Sequence, residues 1–132
     1  MAVLYPCKWL MAKTRRNEMI KDMAKEYKVT VKYQEFRKNV MASFNGSDLL
    51  YEPETAVKIC DFYIPSETEQ FACNDLFYIF NHVDEKFARV FPEAIPNFKK
   101  AGHTSMSVGD IIEFKDSGNV YVVASVGFKK VA

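Results

Sequence analysis

Two apolar stretches near the end of the chain, Ser107-Val-Gly-Asp-Ile-Ile-Glu-Phe114 and Val120-Tyr-Val-Val-Ala-Ser-Val-Gly-Phe128, decide the fold. In both stretches the side chains sort onto two faces with the period of two that is typical of a β-strand. The connection Lys115-Asp-Ser-Gly-Asn119 is made of residues that favour turns. The pattern predicts a C-terminal β-hairpin. Because both arms are apolar on both faces, we expect one face to pack on a helix or strand and the other to be at least half covered.

The spacing of apolar residues in the first third of the chain predicts a helix followed by a strand. Thr14 is a suitable N-cap for a helix running to about residue 27. From residue 28 the period changes to two, which predicts a strand with an apolar inner face and a basic outer face; the inner residues are Val29, Val31 and Tyr33. Residues 36–44 fit either a helix or a strand, residues 45–48 a turn, and residues 49–55 a loop or an edge.

The middle of the chain predicts a strand and then a helix. Residues 56–64 are rich in strand-forming side chains, and Pro65 is expected to end that strand. Ser66-Glu-Thr-Glu69 has the spacing of a capping box, which predicts a helix starting there. Its buried side would carry Ala72, Leu76, Ile79, Phe80 and Val83.

A second short helix is expected at residues 85–91, followed by an irregular crossing between Pro92 and Pro96. We therefore predict an α+β fold: a single small domain with a mostly antiparallel sheet, helices packed on one face and a C-terminal β-hairpin.

Length and composition favour a soluble protein that folds without a metal or a disulfide. A chain of 132 residues can bury about two thirds of the surface that it exposes when unfolded. It has no apolar run that could span a membrane and no leader pattern, so we expect a cytoplasmic protein without a membrane partner. The three cysteines, Cys7, Cys60 and Cys73, form no C-x-x-C pair. We interpret them as reduced packing residues.

Charge is unevenly distributed along the chain. Residues 1–41 hold ten Lys or Arg against four Asp or Glu, whereas residues 42–98 hold three against ten. A basic head and an acidic middle can steer partners or pair between copies of the chain. Homo-oligomerisation is therefore one expectation.

The residues Ser105, Ser107, His103 and Asp110 are of the types found in hydrolytic triads. Residues two or three apart on an extended segment point in different directions, however, and no Gly-x-Ser-x-Gly elbow is present. We expect Ser107 and Asp110 to bond the backbone where Gly109 turns the chain. We assign no catalytic residue, no metal site and no cofactor, since the histidines and cysteines lack ligand spacing and the glycines form no phosphate loop.

The second half of the chain resembles the YodL-like module and related small proteins of phages, plasmids and other mobile elements. The resemblance covers about residues 56–130. We therefore expect a single domain with two parts: a basic part, residues 1–47, and a YodL-like part, residues 48–132. Relatives often carry Arg where this chain has His103 and Thr104. The resemblance implies a phage or mobile-element origin and carries over no catalytic residue. The matching residues are Leu76, Phe80, Asn81, Ser105, Ser107, Val108, Gly109, Asp110, Ile111, Tyr121, Val123, Gly127 and Phe128.

Three functions follow from these observations. The first is a non-enzymatic accessory protein in the host cytoplasm that binds a host protein, and inhibits or redirects it, through aromatic anchors with a charged rim. The second is a nucleic-acid-binding accessory protein in which basic residues of the N-terminal helix and strand, residues 13–38, contact phosphates and Trp9 or Tyr33 stacks on bases. The third is a sponge for small molecules or nucleotides with a pocket near residues 103–107. The candidate partner-binding residues are Arg15, Arg16, Lys25, Lys28, Lys32, His103 and Ser105.

Overall fold

The fold is described by a computed structural model for residues 25–35, 37, 39 and 50–132. Within these residues, one antiparallel sheet of five strands has the order β2-β1-β3-β4-β5, and three helices lie between β2 and β3 in the sequence. This architecture confirms the predicted α+β class. The elements are β1 (Lys25–Tyr33), β2 (Val57–Ser66), α1 (Glu69–Phe80), α2 (Glu85–Val90), α3 (Ala94–Ala101), β3 (Ile111–Phe114), β4 (Val120–Val123) and β5 (Phe128–Lys130).

The main core lies between one face of the sheet and the helices. Val29, Val31 and Tyr33 all point into it, as the alternation in β1 predicts. Strand β1 lies between β2 and β3, so Val29 is paired with Phe62 on one side and Phe114 on the other. The cysteines Cys60 and Cys73 are buried, free thiols. Their placement confirms the interpretation of these two as packing residues, while Cys7 lies outside the described residues.

A second, smaller apolar cluster covers part of the opposite face of the sheet. Ile111 and Val122 are fully buried there and pair across β3 and β4. Tyr51, Ala56 and Val131 pack against the cluster. The expectation that the hairpin is covered on both faces is therefore confirmed.

Three predicted boundaries are wrong. Residues 25–27 belong to β1 and not to the end of a helix. Pro65 does not end β2, which runs to Ser66; β2 is an edge strand, where a missing N–H is tolerated. The crossing between Pro92 and Pro96 contains α3, in which Pro96 occupies the first turn, where a helix needs no donor.

The predicted capping box is also wrong. Thr68 is the N-cap of α1, and its Oγ1 accepts a hydrogen bond from the Phe71 N–H at 3.1 Å. Ser66 is fully buried at the end of β2. The Glu69 carboxylate accepts hydrogen bonds from two side chains of the β3–β4 connection and from Tyr121 of β4 instead of returning to the cap.

The hairpin prediction is correct for β3 and β4 but omits β5. After Val123 the chain turns back, with Gly127 at a φ of +71°, and β5 pairs antiparallel with β4. Val126 therefore does not line a strand face: it stands at the turn with 90% of its surface exposed. The predictions for residues 1–24 and 40–49, including the helix beginning at Thr14, lie outside the described residues.

Candidate functional site

A buried carboxylate, Asp110, lies where the chain enters β3. It is only 1% exposed and accepts hydrogen bonds from the backbone N–H of Ser107 at 2.7 Å and of Gln34 at 3.2 Å. The Nε2 of His103 lies 3.1 Å from its Oδ2. Burial raises the pKa of Asp110, although the contacts with His103, Ser107 and Gln34 act in the opposite direction. The carboxylate joins the end of β1 to the segment before β3.

The His103 ring is fixed against Tyr33. The two rings stack with their centroids 4.6 Å apart and their planes 4° from parallel, and the Tyr33 hydroxyl donates to the Thr104 carbonyl at 2.8 Å. Burial, and then the nearby Asp110 carboxylate, raises the pKa of Tyr33. Because Tyr33 is buried, the expectation that it stacks on a nucleic-acid base is wrong.

Gln34 completes this corner and was not foreseen as a buried group. Its Nε2 donates to the carbonyls of Leu50 and Gly109, both at 2.7 Å. Its Oε1 accepts from the Glu52 N–H at 2.6 Å. One amide side chain thus holds the loop before β2 against the bend before β3.

These contacts favour a structural role for the corner over nucleophilic catalysis. The Ser107 hydroxyl donates to the Ser105 carbonyl at 3.1 Å, whereas it is the backbone N–H of Ser107 that contacts Asp110. Gly109 has a φ of +96° at the bend. The prediction that Ser107 and Asp110 bond the backbone where Gly109 turns the chain is confirmed.

A shallow groove of about 330 Å³ lies beside His103, where a small-molecule pocket was predicted. It runs along the end of α3, and Ser105 is exposed nearby. Its lining is Ile95, Phe98, Lys99, Gly102, His103 and Thr104.

The three basic candidates on β1 do not share one face, since Lys28 and Lys32 lie on one face of the strand and Lys25 on the other. Lys25 and Lys28 are exposed, but residues three apart on a strand point to opposite faces. The Nζ of Lys32 lies 2.9 Å from the Glu113 carboxylate, so Lys32 takes part in an internal ion pair, and its role in partner binding stays a prediction. Arg15 and Arg16 lie outside the described residues.

The outer side of α1 presents aromatic side chains that the sequence analysis did not single out. Phe71, Phe77 and Tyr78 are 42%, 38% and 43% exposed. Phe77 also contacts Phe128 of β5 edge to face, with ring centroids 6.3 Å apart. The Tyr78 ring stacks on the His82 ring, and their centroids are 4.1 Å apart. We call Phe71, Phe77 and Tyr78 the aromatic face of α1.

A groove of about 260 Å³ separates the aromatic face of α1 from the β4–β5 turn. Val126 stands at the tip of that turn and is the most exposed large apolar side chain among the described residues. The helix and the turn thus form two apolar walls. The lining is Asn74, Phe77, Val123, Ala124, Ser125, Gly127 and Phe128.

The Glu69 carboxylate holds α1 to the β3–β4 connection. It accepts hydrogen bonds from Ser117 at 2.6 Å, Asn119 at 2.8 Å and Tyr121 at 2.9 Å. Burial would raise the pKa of Glu69, but these hydrogen bonds outweigh it and the pKa is lowered. Burial, and then Glu69, raises the pKa of Tyr121 to about 12.

Glu69→Ala is expected to lower the free energy of unfolding by about 2 kcal/mol near neutral pH, because three hydrogen bonds to a charged acceptor are lost. Since folding lowers this pKa, the stabilisation is present above the pKa of Glu in the unfolded chain and disappears as the pH falls through the folded value. Urea denaturation across the acid range checks both effects.

Gln70→Ala is the matched control for Glu69→Ala, since Gln70 is the next residue of α1 and is exposed. It is expected to leave stability nearly unchanged. Two results would contradict the proposed contribution of Glu69. One is an equal loss of unfolding free energy in both variants. The other is a difference in unfolding free energy between Glu69→Ala and the wild type that grows as the pH falls.

Comparison with known proteins adds no relative: no family model, no curated protein and no solved structure matches this chain. Within the described residues, no helix is both long and apolar enough to cross a membrane. Among the same residues, no group of three or more His, Cys, Asp or Glu side chains is placed to hold a metal ion.

Proposed function

We propose that this chain is a non-enzymatic accessory protein that binds another protein through the aromatic face of α1 and the adjoining β4–β5 turn. The observation that carries the proposal is the exposure of Phe71, Phe77 and Tyr78 on one helix. Aromatic side chains are enriched in the cores of protein interfaces and account for much of their binding energy. Most of the other described phenylalanine rings are buried in the core: Phe62, Phe80, Phe87, Phe91, Phe98 and Phe114.

The biological setting of the proposal comes from the resemblance to YodL-like proteins. A phage or mobile-element protein of this kind would act in the host cytoplasm and would inhibit or redirect a host protein. The resemblance covers residues 56–130, which include α1 and the β4–β5 turn. The proposed binding surface therefore lies inside the part of the chain that carries the resemblance.

The surroundings of the aromatic face favour a protein partner over nucleic acid. Gln70, Asn74 and Ser125 lie beside it and are exposed and uncharged. Two exposed lysines, Lys129 and Lys130, follow on β5, whereas nucleic-acid binding draws on a larger cluster of Lys or Arg. The described basic candidates lie elsewhere, on β1, and the Lys32 ammonium forms an ion pair with Glu113. An apolar surface with a polar rim is the usual anatomy of a protein interface.

Affinity capture from a bacterial lysate tests the proposal. The wild-type chain is expected to retain a defined protein at physiological ionic strength. The double variant Phe77→Ser with Tyr78→Ser is expected to retain at least about tenfold less, since interface aromatics commonly contribute 2 kcal/mol or more each.

Ile95→Ser supplies the control, because Ile95 is 42% exposed and lies on α3. It removes a similarly exposed apolar side chain from a different helix and is expected to leave capture unchanged. Equal capture by the wild type and the double variant, with both folded by circular dichroism, would refute the proposed surface. Capture of no protein by the wild type would refute the proposed function.

A further inference from the structure

The two aromatic rings that line the groove between α1 and the β4–β5 turn form an incomplete cluster. Phe77 and Phe128 lie edge to face, and neither ring contacts a further aromatic ring among the described residues. A core ring such as Phe80, in contrast, contacts three other phenylalanine rings. The pair is therefore open to one more ring from the solvent side, and aromatic contacts of this kind add to what burial alone contributes.

The volume of the groove suits one side chain. At about 260 Å³ it lies below the roughly 300–1,000 Å³ of typical small-molecule pockets. Its inner part is apolar, since Val123 is buried and Ala124 and Phe128 are partly buried. A single large side chain that fills such a pocket is the usual form of an interface hot spot.

The mouth of the groove is polar. Asn74 and Ser125 are exposed there, and neither side chain forms a hydrogen bond with another described residue. The Asn74 amide oxygen and the Ser125 hydroxyl oxygen can therefore accept a hydrogen bond from an occupant. An occupant that carries a donor at this level keeps its own polar atom satisfied when it is buried.

The groove has no charge to offer a partner. Among the described residues that line it, none is charged. A charged side chain would lose its hydration there without gaining an ion pair. Arg, Trp and Tyr are the residues most enriched in hot spots, and this argument removes Arg. The exposed residues of α1 are likewise all uncharged: Gln70, Phe71, Asn74, Phe77 and Tyr78.

We propose that the groove between α1 and the β4–β5 turn binds a tryptophan side chain of the partner protein. The indole ring packs against Phe77 and Phe128, and its N–H donates to Asn74 or Ser125. An indole has a large apolar ring and one polar atom, an N–H that only donates, which matches an apolar groove with acceptors at its mouth. This inference rests on the proposed function and specifies the group of the partner that is bound.

An NMR titration of the isotope-labelled chain with N-acetyl-tryptophanamide tests the proposal. The amide resonances of Asn74, Ala124 and Gly127 are expected to shift, with nuclear Overhauser effects from the indole to the Phe77 and Phe128 rings. N-acetyl-phenylalaninamide lacks the donor and is expected to bind at least about threefold more weakly, the loss expected for one hydrogen bond. Equal binding of the two probes, shifts confined to other surfaces, or no shift at the solubility limit would overturn the proposal.

Two leucine substitutions separate the groove from the rest of the surface. Ala124→Leu fills the groove and is expected to weaken binding of N-acetyl-tryptophanamide at least about tenfold, as the loss of a hot-spot pocket does. Ala88→Leu is the control, because Ala88 is partly buried on α2 and does not line the groove. Equal binding by Ala124→Leu and the wild type would overturn the proposal; if Ala124→Leu does not fold, the titration of the wild type decides alone.

The two proposals can fail independently. Capture of a protein that depends on Phe77 and Tyr78 but is unaffected by Ala124→Leu leaves the proposed function intact and overturns the tryptophan anchor. Binding of the probe in the groove without a captured protein has the opposite meaning. A dimer of the chain that Ala124→Leu disrupts would also overturn the anchor, because the occupant would then be a second copy.

Discussion

Gly109→Ala is expected to lower the free energy of unfolding by more than about 3 kcal/mol, enough to unfold a marginally stable domain. Gly109 has a φ of +96°, a conformation that costs an L-residue about 1 kcal/mol or more. In addition, a Cβ at this position would overlap the Asn39 side chain. Asn39 accepts a hydrogen bond from the Leu50 N–H at 2.9 Å, so any shift also disturbs the loop before β2.

Gly118→Ala is a control that separates the two causes. Gly118 also has a positive φ, of +78°, but no atom lies within 4 Å of a Cβ added there. It should show the conformational cost alone, about 1 kcal/mol. Chemical denaturation of both variants checks the difference, and losses of equal size would mean that the contact with Asn39 contributes nothing.

Asp110→Ala is expected to lower the free energy of unfolding by about 3–5 kcal/mol, because it leaves buried donors without an acceptor. The donors are the backbone N–H groups of Gln34 and Ser107, and His103 loses the carboxylate to which it is fixed. Asp110→Asn should cost less, since one oxygen remains to accept.

Asp116→Ala is the matched control for Asp110→Ala, because Asp116 is an exposed carboxylate in the β3–β4 connection. Its effect is expected to stay within about 0.5 kcal/mol of zero. If urea denaturation gave Asp110→Ala and Asp116→Ala similar midpoints, the buried corner would not stabilise the fold as described.

The sequence was sufficient where local pattern decides the structure. The alternation of Val29, Val31 and Tyr33 survives in β1 because one face of that strand is buried, which fixes its register. The same reasoning predicts the pairing of β3 with β4. The same pattern predicted that the returning strand continues past Val123. That prediction was wrong, because Val126 continues the apolar pattern although it lies in the turn to β5.

Boundaries were missed where a tertiary contact outweighs a local signal. Ser66 has the spacing of an N-cap, but pairing with β1 keeps it in β2, and Thr68 becomes the cap. Pro96 suggests an irregular segment, yet it lies in the first turn of α3, where its missing N–H would have no acceptor within the helix.

The site residues depend on contacts that no local pattern contains. Gln34 and Asp110 are 76 positions apart in the sequence, and the pairing of Lys32 with Glu113 requires β3 to lie beside β1. The aromatic face of α1, in contrast, could have been predicted. If Ala72, Leu76 and Ile79 face the core, the helical period places Phe71 and Tyr78 on the outer side.

The most direct test of the account compares two double variants in capture from a nuclease-treated bacterial lysate: Phe77→Ser with Tyr78→Ser, and Lys25→Glu with Lys28→Glu. We predict that the first loses the captured protein and that the second retains it, because the partner contacts the aromatic face of α1 and not the basic residues of β1. Retention by the first variant and loss by the second would contradict this account.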